Sequence, residues 1–236
     1  MMRDAITKRR SIRAYTGEPL RGADHALVQR KIDDINSRSG LHIEIVEDGS
    51  DAFNGMLKSY GIFKNVCTVI LLKGPTDLED LPEKTGYYGE ELILDLVDMG
   101  LGTCWVGGTY DSRSYDIPKS EKLVAVVPVG YISDNPSMIG RIMVRGHTKR
   151  KPLEERIKSD VTPLPDWIRK GMEAVIPAPS AVNSQKPHFD YTGGVLTASV
   201  KHISFLDLVD LGIAKYHFVC EAGGQFDFGN GGKYHK

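Results

Sequence analysis

Cysteine is scarce in this chain and odd in number. Cys67, Cys104 and Cys220 lie scattered through 236 residues. That excludes a disulfide framework and a paired-cysteine zinc site, and it fits a reducing compartment. An excess of one charge is also missing: 30 Lys and Arg face 31 Asp and Glu. A dedicated binder of nucleic acid or of a membrane surface would carry a stronger bias. No apolar run is long enough to cross a bilayer, and the first residues, charged by Arg3, offer no apolar core for a signal peptide. The expectation is a soluble cytoplasmic protein without membrane or nucleic-acid partners. Chemistry-bearing motifs are absent as well. There is no Gly-x-Gly-x-x-Gly after a strand, no phosphate-binding P-loop and no histidine pair at ligand spacing, and Ser180 lacks a Gly-x-Ser-x-Gly setting. No metal site is expected, and no catalytic side chain is assigned.

What is present is a repeat. Leu94-Asp-Leu-Val-Asp-Met-Gly100 returns as Leu206-Asp-Leu-Val-Asp-Leu-Gly212, and the two align without a gap. The separation far exceeds a solenoid unit of about 20–50 residues, so it points to two copies of a domain-sized half. The alternative is a chance likeness of amphipathic helices. In the first copy Leu92, Ile93, Leu96 and Val97 recur at helical spacing, and Gly100 stands where a helix end needs a left-handed residue. Thr103-Cys-Trp-Val106 then suits an extended segment. The second copy keeps helix and Gly but has Ala214-Lys215 in place of Gly102-Thr103. Of the two loops, the glycine-containing one is the better ligand loop, since Gly admits a ligand close to the backbone.

In chain order, Met1 to Arg10 reads as a helix. In an extended stretch, Arg9, Ser11 and Arg13 share one face, two guanidiniums beside a hydroxyl. This suits a phosphate, and it equally suits a solvated basic turn. Tyr15 to Pro19 reads as a turn, Asp24 to Ser37 as a helix, Leu41 to Val46 as a strand and Ala52 to Tyr60 as a short helix. Val66 to Leu72 and Leu123 to Tyr131 read as core strands, with Asp77 to Thr85 a polar loop. His147 to Pro152 is basic and opens a charged helix, Leu153 to Lys158. Asp160, Pro163 and Pro165 mark the boundary between halves 1–160 and 161–236. The second half offers a helix from Asp166 to Val175, an amide- and hydroxyl-rich loop from Pro177 to Pro187, and a hairpin turning at Gly193-Gly194. Its glycine-rich tail, Glu221 to Lys236, reads as partly loose. A phosphate clamp, a glycine loop and an amide-rich loop without a nucleophile suit a bound cofactor that carries the reaction.

Four segments carry a resemblance: Arg9-Arg-Ser-Ile-Arg13-Ala-Tyr, Gly100-Leu-Gly-Thr-Cys-Trp-Val-Gly-Gly108, Lys149-Arg150-Lys151-Pro-Leu-Glu-Glu and Ala178-Pro-Ser-Ala-Val-Asn-Ser-Gln-Lys-Pro187. Together they resemble the FMN-dependent nitroreductase family. The order differs, because the Pro-Ser-Ala-x-Asn loop comes last here and in the usual member comes early. The repeat accounts for this if a homodimer with FMN at its interface became one chain. The sequence is similar to the single-chain pseudo-dimer subgroup. The resemblance implies an α+β fold, a nitroreductase-like sandwich duplicated within the chain, acting as a monomer with one FMN. It implies that Arg9, Ser11 and Arg13, with Arg10 and Arg150, hold the phosphate. Leu101, Gly102 and Thr103 would lie against the isoalloxazine ring, and Pro179, Ser180, Ala181 and Asn183 would reach the ring and ribityl chain. For Asn183 a loop-stabilising amide is an equal reading, and Gln185 would support the loop. Lys186-Pro187-His188 departs from the family's Gln-Pro-Trp. The implied activity passes hydride from NADH or NADPH through FMN to a small-molecule substrate such as a nitroaromatic or a quinone. The competing reading is an FMN-binding protein without significant turnover.

Overall fold

The computed structural model describes residues 3–53, 59, 61–135, 149–201 and 204–236. The expected helix from Ala52 to Tyr60 falls largely outside them, as do His147 and Thr148. The chain packs as two compact units, each drawn from separate stretches of sequence. The amino unit comprises Arg9–Leu81 and Leu92–His147; the carboxyl unit comprises Met1–Lys8, Pro82–Glu91 and Thr148–Lys236. No helix among the described residues is long and apolar enough to cross a membrane.

In the carboxyl unit the chain begins with a short helix, α1 (Asp4–Lys8). The amino unit opens with α2 (Gly22–Ser39), whose Val28, Ile32 and Ile35 recur at helical spacing and are buried. Gly40 ends it at φ 72°, its N–H donating to Asn36 O. The strands β1 (Glu44–Val46), β2 (Thr68–Pro75), β3 (Gly102–Thr103) and β4 (Glu121–Gly130) form an antiparallel sheet in the order β1-β2-β4-β3. The nearly unbroken apolar runs of β2 and β4 pair at its centre, with Ile70 opposite Val127 and Leu71 opposite Val126. Between β2 and β3 lies α3 (Leu81–Asp98). Gly100, at φ 81°, closes it as expected: its N–H donates to Val97 O at 2.9 Å, and Leu101 N–H donates to Leu96 O at 3.0 Å. That paired bonding satisfies the last carbonyls and turns the chain into β3.

The carboxyl unit holds a second sheet. Its order is β5-β6-β7-β9-β8, made by β5 (Ile157–Ser159), β6 (His188–Thr192), β7 (Val195–Ser199), β8 (Gln225–Phe226) and β9 (Gly232–His235). The hairpin turns at Gly193 and Gly194, both at positive φ, as their sequence demands. Helices α4 (Asp166–Val175) and α5 (Phe205–Ala222) pack on it. The core is aromatic: Phe189 stacks on Phe218 at 5.5 Å between ring centroids, and Trp167 stacks on Tyr234 at 5.0 Å. Tyr234 and Phe226 belong to the tail, so the tail is a pair of sheet strands and not a loose end. Leu153 to Lys158 is likewise not a helix. A single tight turn, Leu153–Glu155, leads into β5, which pairs in parallel with β6. Arg156 decides this, for it is buried and its Nη1 donates to Val175 O at 2.8 Å. That tertiary bond outweighs the local helical pattern.

The helix α3 starts earlier than expected, at Leu81, inside the stretch Asp77 to Thr85 that reads as a polar loop. Gly86 is there for contact, not for a turn. A Cβ on it would lie 2.0 Å from Val209 O of α5. A Cβ on Gly212 would lie 2.0 Å from Glu83 O of α3. The helices therefore touch backbone to backbone. Gly212 is interior to α5, so the two repeat copies are not equivalent in structure: the pentapeptide ends α3 and begins α5. Around the contact, buried charges pair. Lys215 Nζ binds the Glu83 carboxylate and the carbonyls of Asp227 and Gly229. His217 bridges Glu90 at 2.9 Å and Ala174 O at 2.8 Å.

Two predictions follow from this crossing. Gly212→Ala forces the helices apart and lowers stability by about 3 kcal/mol; urea unfolding reads it, and an unchanged midpoint would contradict the contact. Lys215→Met strands the Glu83 charge and costs about 3–5 kcal/mol. Adding Glu83→Gln recovers part of that loss in the same measurement, and a double variant no more stable than the single one would contradict the pairing.

Candidate functional site

The Arg-Ser-x-Arg segment is extended, as the alternation requires. Ser11 pairs with Thr103 in a parallel bridge, and Ile12 N–H donates to Thr103 O at 2.8 Å. Lys64 continues the pairing by donating to Arg13 O and accepting from Tyr15 N–H. Tyr15, read from the sequence as part of a turn, is instead a buried anchor. Its hydroxyl donates to Ile12 O at 2.8 Å and lies 3.1 Å from Pro128 O, and burial pushes its pKa well up. So Arg9, Arg10, Ser11 and Arg13 come together with Leu101, Gly102 and Thr103 on one framework. Arg10 is exposed; Arg9, Ser11 and Arg13 are half-buried. Three cations thus lie within five residues, on a backbone fixed at Ser11 and Tyr15.

Two details of the glycine loop matter. A Cβ on Gly102 would lie 2.8 Å from Ile12 Cγ2 and 2.9 Å from Ile132 Cγ1. The missing side chain therefore makes room for the protein's own packing, and the expectation that it admits a ligand does not describe this face. The Thr103 hydroxyl, by contrast, is 1% exposed as a residue and has no hydrogen-bond partner among the described residues. A buried hydroxyl without a partner is uncommon in a folded chain. Cys104 adds a group not singled out from the sequence: burial pushes its thiol pKa up, opposed by the nearby Arg13 and a hydrogen bond with Ser11.

The second cluster lies in the carboxyl unit, around residues 177–187. Arg150 braces it: Nη1 donates to Ala178 O at 3.1 Å and Asn183 Oδ1 at 3.0 Å, and Nη2 donates to Pro177 O at 3.2 Å. Asn183 Nδ2 donates to Lys149 O, so both ends of that amide serve the loop. Gln185 is buried and does the same, accepting from Lys151 N–H and donating to Lys149 O. Ser180 Oγ accepts from Gln185 N–H at 2.9 Å. Pro179, Ser180 and Ala181 thus sit on a backbone held from inside. Val182, Asn183 and Gln185 all adopt left-handed conformations, at φ 47°, 55° and 49°. For a β-branched valine this is an outlier, and Val182 is also 84% exposed. Two carboxylates that sequence reasoning passed over hold the loop from α5. Asp210 accepts from Ala181 N–H, and Asp207 accepts from Lys186 Nζ at 2.7 Å. Their signal was the repeat itself, which keeps both Asp.

A family model described as "Putative TM nitroreductase" matches residues 2–222. The chain belongs to this nitroreductase family. A structure described as a "putative nitroreductase" from Thermotoga maritima MSB8 aligns over 99% of this chain and 92% of its own, at 23% identity and a TM-score of 0.63. It shares the α+β nitroreductase fold. An "FMN-dependent Nitroreductase" from Clostridium difficile R20291 is 18% identical over 56% of this chain and 88% of its own, at a TM-score of 0.45, too slight a likeness to carry weight. No curated protein matches. In this chain, Thr103→Val removes a hydroxyl that has no hydrogen-bond partner among the described residues. Stability should hold or rise by up to about 1 kcal/mol, and a loss of more than that in thermal unfolding would show an internal role instead.

Proposed function

We propose that this protein is an FMN-dependent oxidoreductase that takes hydride from NADH or NADPH and passes it to a small organic acceptor such as a nitroaromatic or a quinone. The observation that carries the reading is the Ser11–Thr103 bridge, which sets the Arg-Ser-x-Arg segment beside the Gly-Leu-Gly-Thr loop. The residues fit the cofactor. Arg9, Arg10, Ser11 and Arg13 would hold its phosphate, and the unpartnered Thr103 hydroxyl, with Leu101 and Gly102, would face its ring system. Pro179, Ser180, Ala181 and Asn183 would reach it on the loop that Arg150 braces. FMN supplies the two-electron chemistry, so the chain has to bind, orient and exclude water. This explains the absence of an acid–base pair from the motifs.

The halves 1–160 and 161–236 are proposed to descend from a dimer, so that one chain acts as a monomer with a single FMN. The crossing of α3 and α5 supports this. Glu83 O faces Gly212 while Val209 O faces Gly86. Two contacts that exchange partners in this way are what a twofold axis produces. The matching pairs are then Glu83 with Val209 and Gly86 with Gly212, not the identical pentapeptides.

The test is direct. The purified chain should be yellow, bleach with NADH or NADPH, and recover colour in air, with one FMN per chain. Yellow protein that does not bleach would leave binding without turnover. Arg13→Ala should bind FMN about tenfold more weakly or worse; full occupancy in that variant would overturn the clamp.

A further inference from the structure

The loop of residues 180–185 carries three left-handed residues, and Asp210 is one of the groups that hold it. The Asp210 carboxylate is 3% exposed. Its two oxygens lie 2.9 and 3.1 Å from Ala181 N, and Ser184 Oγ approaches at 3.4 Å. The charged groups around it are Asp207 on its own helix and Lys186 from the loop, and the Lys186 ammonium is hydrogen-bonded to Asp207. A carboxylate buried beside another carboxylate does not add stability. Burial pushes the Asp210 pKa up to about 7, against the hydrogen bond from Ala181. Below that pH the folded chain holds a proton that the unfolded chain has released. Stability therefore falls as pH rises from the ordinary carboxylate range towards 7, and above 7 the fold carries a charge it would be better without. A burden of this kind, placed under a strained loop, is characteristic of a working site.

We propose that Asp210 is a positioning residue of the flavin site: it clamps Ala181 N–H and Ser184 and so presets the 180–185 loop for its ligand. The proposal rests on the FMN reading above. Asp210 touches no ligand in this account; it acts through Ala181. Charged acceptors bind N–H groups more strongly than neutral ones, so the clamp tightens when Asp210 ionises.

The experiment compares the full-length protein with Asp210→Asn. FMN affinity of the flavin-free chains is measured from pH 5.5 to 8.5, along with hydrogen exchange at the Ala181 amide and thermal unfolding. At pH 8 the variant should bind FMN about tenfold more weakly and lose a similar factor of Ala181 protection. Its unfolding temperature there should equal or exceed wild type. Wild-type affinity should fall relative to the variant as pH drops through about 7, the ratio removing the titration of the phosphate common to both. Wild-type exchange at Ala181 needs no variant and should slow, against its intrinsic rate, as pH rises through the same range. Equal FMN affinity and equal Ala181 protection in the two proteins would overturn this proposal alone. A wild-type chain that takes up no FMN, with Ala181 still clamped, would overturn the flavin reading and this proposal with it.

Discussion

The carboxyl unit depends on a place where two helices meet without side chains between them. At Gly86 and Gly212 there is no room for even a methyl group, since the opposing carbonyl oxygens already occupy the space. So close an approach shuts water out, and it leaves Glu83, Glu90, Lys215 and His217 fully buried. Buried polar and charged groups without partners would be costly, so Lys215 is matched with Glu83 and His217 with Glu90 across the two helices. Lys215 reaches further and takes the carbonyls of Asp227 and Gly229, which fixes the turn before β9. Tail strands, ion pair and helix contact thus stand or fall together.

This also explains what the sequence could and could not show. Elements built on local pattern were legible: α2 from its apolar spacing, β2 and β4 from their apolar runs, the Gly193-Gly194 hairpin, and the Schellman-type end at Gly100. The extended arginine segment was legible too, because alternation already placed Arg9, Ser11 and Arg13 on one face. What failed to show was every feature set by distant contact. The first turn of α3 read as part of a polar loop, Asp77 to Thr85, since the cost of a nearby Gly in a helix is local while its benefit at Gly86 lies on another helix. Strand β5 read as helix because nothing near Arg156 in sequence announces Val175 O. The tail read as loose because its glycines outnumber its aromatics, although Phe226 and Tyr234 complete a core begun by Trp167 and Phe218.

The repeated pentapeptide makes the same point about charge. In α3 its first Asp, Asp95, is partly exposed and pairs with Lys31 at 2.7 Å. In α5 both Asp are buried. Asp207 closes a capping box with Ser204 and binds Lys186, while Asp210 holds Ala181. Identical letters become a surface ion pair at the end of one helix and loop anchors at the start of the other. Position in the fold, not residue type, sets whether a carboxylate is solvated, paired or kept under strain.

The amide-rich loop then has to be understood differently from its composition. Pro, Ser, Asn and Gln suggested groups offered to a ligand, yet Asn183, Gln185 and Ser180 spend their polar atoms on Arg150, Lys149, Lys151 and each other. Val182, by contrast, is 84% exposed. In this loop side-chain hydrogen bonding serves the loop's own backbone. The three left-handed residues, Val182, Asn183 and Gln185, are held in place by these internal bonds. The glycine loop follows the same logic, with Gly102 pressed against Ile12 and Ile132 to hold Thr103 in place. In both loops the residues that look most like ligand contacts serve the framework of the chain itself.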